Sequence, residues 1–307
     1  MIKKINAAII MALALALTAC TSAKKSNAEK SEKISNDTWY YKAMNYDELS
    51  KYSDGDSQLI AFIDSGISPK LEEEYSDRIV YTYDIVNDSE DVFDTDTHGT
   101  EITSIACNSG NFGVCGLASK SKMLIYKVTD HHGTTKSDYL SKAIKDAVEH
   151  KATIINISIG GYKKDSNIEE AINYALANNV TVVAAAGDYG DKDLLYPAKY
   201  EGVISVQGLD STFNLWCNSN HEDTATITFP CENIESVDIS NDSTLFKSAS
   251  TGTSQATALA SAYIALIKDY YLDSYSKDLS NTELIDMLKE IDTFKNSNTE
   301  YLKPFVN

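Results

Sequence analysis

The sequence predicts an α/β protein with a mostly parallel central sheet and helices on both faces. Two observations carry this. Short apolar, β-branched runs recur at 59–63, 123–128, 153–157, 180–185 and 203–206, and segments with helical spacing lie between them. Strands that alternate with helices build a parallel sheet covered on both sides. With no internal repeat or interior linker, residues from about 40 onward read as one domain.

The elements follow in chain order. Lys3 and Lys4 precede an apolar run, Ala7 to Leu17, that is too short to span a bilayer comfortably. The run ends Leu17-Thr18-Ala19-Cys20, which looks like a bacterial lipobox, so residues 1–19 are expected to be a leader and Cys20 the lipidated residue; an ordinary signal peptide with an incidental cysteine is the alternative. Residues 20–40 are then a tether: Thr21 to Asn36 is mostly Ser, Lys, Asn, Glu and Ala, with little to bury. Residues 41–307 form the domain. Leu140, Ala143, Ile144, Ala147 and Val148 share one helix face, as do Ile168, Ala171, Ile172 and Ala175. Ser280 and Glu283 have capping-box spacing before Leu284, Ile285, Leu288 and Ile291.

The net charge of −18 argues against nucleic acid and against docking on anionic lipid by charge alone. Outside the membrane, Cys107, Cys115, Cys217 and Cys231 could pair locally, Cys107 with Cys115 and Cys217 with Cys231, or remain buried thiols. None has metal-ligand spacing.

Three segments carry chemistry. An apolar strand runs into Asp64-Ser65-Gly66, placing Asp64 at a strand's carboxyl end, where sites gather in open parallel sheets. His98-Gly99-Thr100 opens a helix over 101–106, suiting a general base at a cleft rim. Gly252-Thr253-Ser254 enters a helix rich in small residues that runs through Ala265, so the Ser254 N–H can meet a developing oxyanion. Taken singly these are a turn aspartate, a structural histidine and a helix cap. Together, Asp, His and Ser in that order resemble the subtilase family of serine peptidases, in which they form a catalytic triad. Two further segments match: Gly113-Val114-Cys115-Gly116-Leu117-Ala118, and Ile155 to Gly160, similar to the strand whose edge pairs with substrate and so implying substrate contacts at Ser158, Ile159 and Gly160.

The resemblance implies an endopeptidase acting on peptides or proteins, with no metal or cofactor in the chemistry. It leaves structural calcium open, because the Asn108 to Val114 loop lies near a family calcium site without clearly keeping its ligands. A small lipid-anchored form is similar to proteases that trim the leaders of exported peptides such as lantibiotics. Three departures stand out. Asp188 occupies the place of the family's oxyanion-hole asparagine, Ala258 replaces a helix proline, and the stretch from Cys20 to Asp64 is too short for the usual inhibitory prodomain. Asp188 also supports the competing reading, a catalytically silent peptide-binding module.

Overall fold

The five apolar runs all become strands of one sheet. The structure, a computed structural model, describes residues 38–130, 132–240 and 244–291. The expected leader, Cys20 and most of the tether lie outside the described residues. Strands β1 (Leu59–Asp64), β2 (Ile79–Asp84), β3 (Lys122–Lys127), β4 (Ile154–Ile157), β5 (Thr181–Ala185), β6 (Ile204–Leu209) and β7 (Ile227–Pro230) form a seven-stranded sheet in the order β2-β3-β1-β4-β5-β6-β7. Every pairing in it is parallel. Strand β1 lies inside the sheet, bonded to β3 and β4, which buries its side chains and carries Asp64 into the interior at its carboxyl end.

Helices cover both faces, as two-sided burial requires. Among them, α5 (Ser137–Glu149) and α6 (Ser166–Ala177) pack their predicted apolar stripes into one core with the strands. On the other face lie α4 (His98–Cys107) and α7 (Thr253–Tyr275). Helix α7 is buried continuously from Gln255 to Asp269, and its alanines let it approach the sheet closely. Ala258 keeps it unbroken where a proline would remove a helical hydrogen bond. The final helix, α8 (Asn281–Ile291), has its capping box: Ser280 Oγ donates to Glu283 Oε2 (2.8 Å), and the Glu283 N–H donates to Ser280 Oγ (3.3 Å). Among the described residues, no helix is long and apolar enough to cross a membrane.

Two expectations change. The domain starts before residue 41, because the short helix α1 (Trp39–Ala43) buries Tyr40 and Tyr41, and the Trp39 indole donates to the Glu232 carbonyl (3.0 Å). An aromatic run has too much to bury for a tether. The local disulfides do not form; Cys107, Cys115, Cys217 and Cys231 are all thiols. Cys231 packs its sulfur against Gly208 in the interior, whereas Cys217 is exposed beside Asn218. Burial pushes the Cys107 thiol up to about 12.

Sequence periodicity missed β2, β7, the antiparallel hairpin β8 (Ile234–Ile239) and β9 (Leu245–Ser250), and three short helices: α1, α2 (Tyr46–Leu49) and α3 (Pro69–Glu74). The hairpin matters for the site. The Val237 N–H donates to Ser104 Oγ of α4 (2.8 Å), and β9 leads directly into α7.

Candidate active site

Asp64 is the last residue of β1 and is 2 % exposed. Its Oδ1 accepts the Ser65 N–H (2.8 Å) and meets His98 Nδ1 at 2.7 Å. This contact brings together two residues on separate elements. Close backbone passage permits it. Gly66 has φ +108°, and a Cβ there would stand 2.1 Å from the Val92 carbonyl oxygen; one on Gly99 would stand 2.3 Å from the Gly66 carbonyl oxygen. No other residue fits either position. Ser65 Oγ accepts the Gly99 N–H (2.8 Å), locking the two turns together.

The His98 turn is built by Asp94, a residue the motif reading overlooked. Its buried carboxylate accepts from the N–H groups of Asp96 (3.0 Å), Thr97 (2.9 Å) and Thr100 (2.8 Å), and from Thr100 Oγ1 (2.7 Å). It thereby caps the start of α4 and holds Thr97 at φ 71°. The signal was an aspartate just ahead of a helix start, obscured by the neighbouring His-Gly-Thr. Burial opposes charge on His98, but Asp64, Glu101 and Asp94 outweigh it and raise the imidazolium to about 9.

Ser254 is the second residue of α7, so its N–H is among the first-turn donors that no helical carbonyl takes. Its Oγ donates to the Ser158 carbonyl (3.1 Å), and Ser158 Oγ donates to the Ser254 carbonyl (3.2 Å). Ser254 therefore rests on the segment leaving β4 and shares no hydrogen bond with His98. Helix α4 is tied to the end of β9, just ahead of α7, where Ser250 Oγ donates to Glu101 Oε2 (3.0 Å). Burial, with Asp238 nearby, raises the Glu101 carboxyl above its ordinary value.

Asp188 lies just beyond β5 at the N-terminus of α7. Its Oδ1 accepts the Thr253 N–H (2.9 Å) and Thr253 Oγ1 (2.7 Å). Its Oδ2 faces Gly252, where a Cβ would stand 2.9 Å away. Half of this carboxylate thus anchors the helix that presents Ser254, a role the sequence did not suggest.

The Asn108 to Val114 loop closes on itself. Asn108 Nδ2 takes the carbonyls of Asn111 and Val114 (both 2.7 Å), and its Oδ1 accepts from Tyr75 (3.0 Å). Oxygens that could serve calcium are thus engaged by the chain. Among the described residues, carboxylates cluster elsewhere, at Asp54, Asp56 and Asp269. There, Asp269 already accepts from Ser53, Gly55 and Ser57.

A parallel sheet with an Asp–His pair at the end of an interior strand and a serine at a buried helix's N-terminus defines a serine-peptidase architecture. Residues 55–295 match the subtilase family, and the chain belongs to it. The chain is 33 % identical over 244 residues to the major intracellular serine protease of Bacillus subtilis, covering 76 % of this chain and 75 % of that one. It is 32 % identical to the intracellular serine protease of Paenibacillus polymyxa, over 75 % and 72 % of the two chains. Its fold matches a cold-adapted subtilisin-like serine proteinase with TM-score 0.67, at 24 % identity over 78 % of this chain and 83 % of that one. The chain is a serine endopeptidase acting on peptides or proteins.

Proposed function

We propose that this chain is a lipid-anchored, extracytoplasmic endopeptidase that trims exported peptides of the lantibiotic-leader kind, with Asp64, His98 and Ser254 as its triad. The 2.7 Å Asp64–His98 contact carries the triad reading. In the reaction, Ser254 Oγ leaves the Ser158 carbonyl by a change of rotamer and passes its proton to His98 Nε2 as it attacks the substrate carbonyl. Asp64 holds the Nδ1–H tautomer and stabilises the imidazolium. The Ser254 N–H receives the oxyanion, and His98 then protonates the leaving amine. The substrate backbone pairs along Ser158, Ile159 and Gly160.

Localisation rests on Lys3, Lys4, the apolar run and Cys20. The relatives' names alone do not decide it, since they include a minor extracellular protease and a cell wall-associated protease of Bacillus subtilis as well as intracellular ones. Cys20→Ser should release the protein into the medium with its specific activity intact. Wild-type protein found wholly in the culture fluid would contradict the anchor.

The silent-module reading draws on Asp188 and on the bond that holds Ser254 to Ser158. A fluorophosphonate that labels the wild type but not Ser254→Ala rules it out; failure to label the wild type would establish it.

A further inference from the structure

Strands β4 and β5 are hydrogen-bonded neighbours up to the pair Ile157 and Ala184, after which their chains part. Ser254 sits at the head of the gap. Its Oγ bonds Ser158 on one side, and on the other Thr253 Oγ1 accepts from the Gly187 N–H (3.1 Å). A peptide whose carbonyl lies at Ser254 Oγ must therefore send that residue's side chain between 158–160 and 186–188. Both walls carry a glycine there, Gly160 and Gly187.

The gap already holds a side chain. A Cβ on Gly187 would stand 2.7 Å from Leu195 Cγ and 2.8 Å from its Cδ1, and one on Gly160 would stand 3.0 Å from Leu195 Cβ. Leu195 is 6 % exposed without any substrate. It cannot slide away, because its backbone is fastened to both walls. The Leu195 N–H donates to the Ala186 carbonyl (2.9 Å), while Tyr196 and Gly161 exchange two hydrogen bonds of 2.9 Å each. The backbone at Gly160 and Gly187 lies against the Leu195 side chain, with no Cβ between them. Two residues beyond these glycines, the exposed rings of Tyr162 and Tyr189 stand 5.6 Å apart.

We infer that Leu195 fills the pocket for the residue whose carbonyl is attacked, restricting cleavage to bonds that follow small residues such as glycine, alanine or serine. This rests on Ser254 being the nucleophile and names the substrate class for that site. Matched peptides differing only at this residue would be compared by kcat/KM in the wild type, Leu195→Ala and Leu195→Gly. The wild type should favour alanine over phenylalanine by on the order of 10²-fold. Leu195→Gly should raise the phenylalanine-to-alanine ratio by about tenfold or more, with Leu195→Ala between. Fluorophosphonate labelling of each variant shows whether Ser254 is still reactive and the fold intact. A wild type that cleaves after phenylalanine as readily as after alanine overturns the inference while leaving the peptidase reading in place. So does a ratio unchanged in a variant that labels normally. A wild type that never labels overturns both.

Discussion

The two halves of the active site are held in different ways. Around His98, Asp64 and Asp94 together accept six hydrogen bonds from adjoining turns, and Gly66 and Gly99 let those turns pass at backbone contact. Around Ser254, one carboxylate oxygen of Asp188 anchors the helix, while the hydroxyl rests on Ser158. In the proposed triad the base is held by many bonds, and the hydroxyl of the nucleophile is bound to a neighbouring carbonyl. Changes in the first half should therefore cost fold as well as rate, whereas changes in the second should tune rate in either direction.

The sharpest break in this comparison comes from removing either reacting group. Ser254→Ala or His98→Ala should each lower kcat by about 10⁴–10⁶-fold, and the double variant should cost little more, because the residues act as a unit. Losses that multiply in steady-state kinetics would separate them. Next in size is Asp94→Ala, which takes the acceptor from the buried N–H and hydroxyl of Thr100 and from the more accessible N–H groups of Asp96 and Thr97. It should lower stability by roughly 2–4 kcal/mol, read from urea midpoints, with turnover down tenfold or more. A midpoint unchanged from wild type would show that the His98 turn does not depend on it.

Residues dominated by local pattern were legible in the sequence, and those dominated by partners were not. Leu59 to Asp64 declared itself because a buried parallel strand is apolar throughout. Strand β2 did not, because it is a sheet edge whose Val80 is exposed and whose tyrosines face outward in part. The hairpin, reading Ile-Glu-Ser-Val-Asp-Ile and Leu-Phe-Lys-Ser-Ala-Ser, looks like loop until α4 is beneath it. In the site, Asp64, His98 and Ser254 lie in recognisable motifs. The work of Asp94, and the anchoring done by Asp188, exist only in hydrogen bonds to other segments, which spacing does not encode.

Asp188 tests the tunable half. Asp188→Asn keeps an oxygen for Thr253 and places an N–H donor where Oδ2 now faces Gly252. Turnover should rise about tenfold with KM little changed, because such a donor acts on the transition state. Asp188→Ala gains no donor and loses the anchor, so its turnover should fall below wild type. If both variants fall, Asp188 acts only as the anchor.

The smallest effect should come from Glu101, which joins the two halves. In the proposed mechanism His98 must be neutral to accept the serine proton, and the acidic groups that raise it to about 9 favour the imidazolium at pH 7. The wild-type kcat/KM should therefore climb with pH and level off only near 9. Glu101 contributes to that elevation alongside Asp64 and Asp94, and its Oε2 accepts from Ser250 at the entry to α7. Glu101→Gln removes the negative charge and keeps an oxygen for Ser250. Lacking that charge, the imidazolium gives up its proton more readily, so the rising limb should move to lower pH by about half a unit, a roughly threefold gain near pH 7. Glu101→Ala should show the same shift with an added loss of kcat at the plateau, because the tie to Ser250 is gone. A limb that stays in place in both variants would mean that the charge of Glu101 does not reach the base, and that its part in the site is the tether to Ser250 alone.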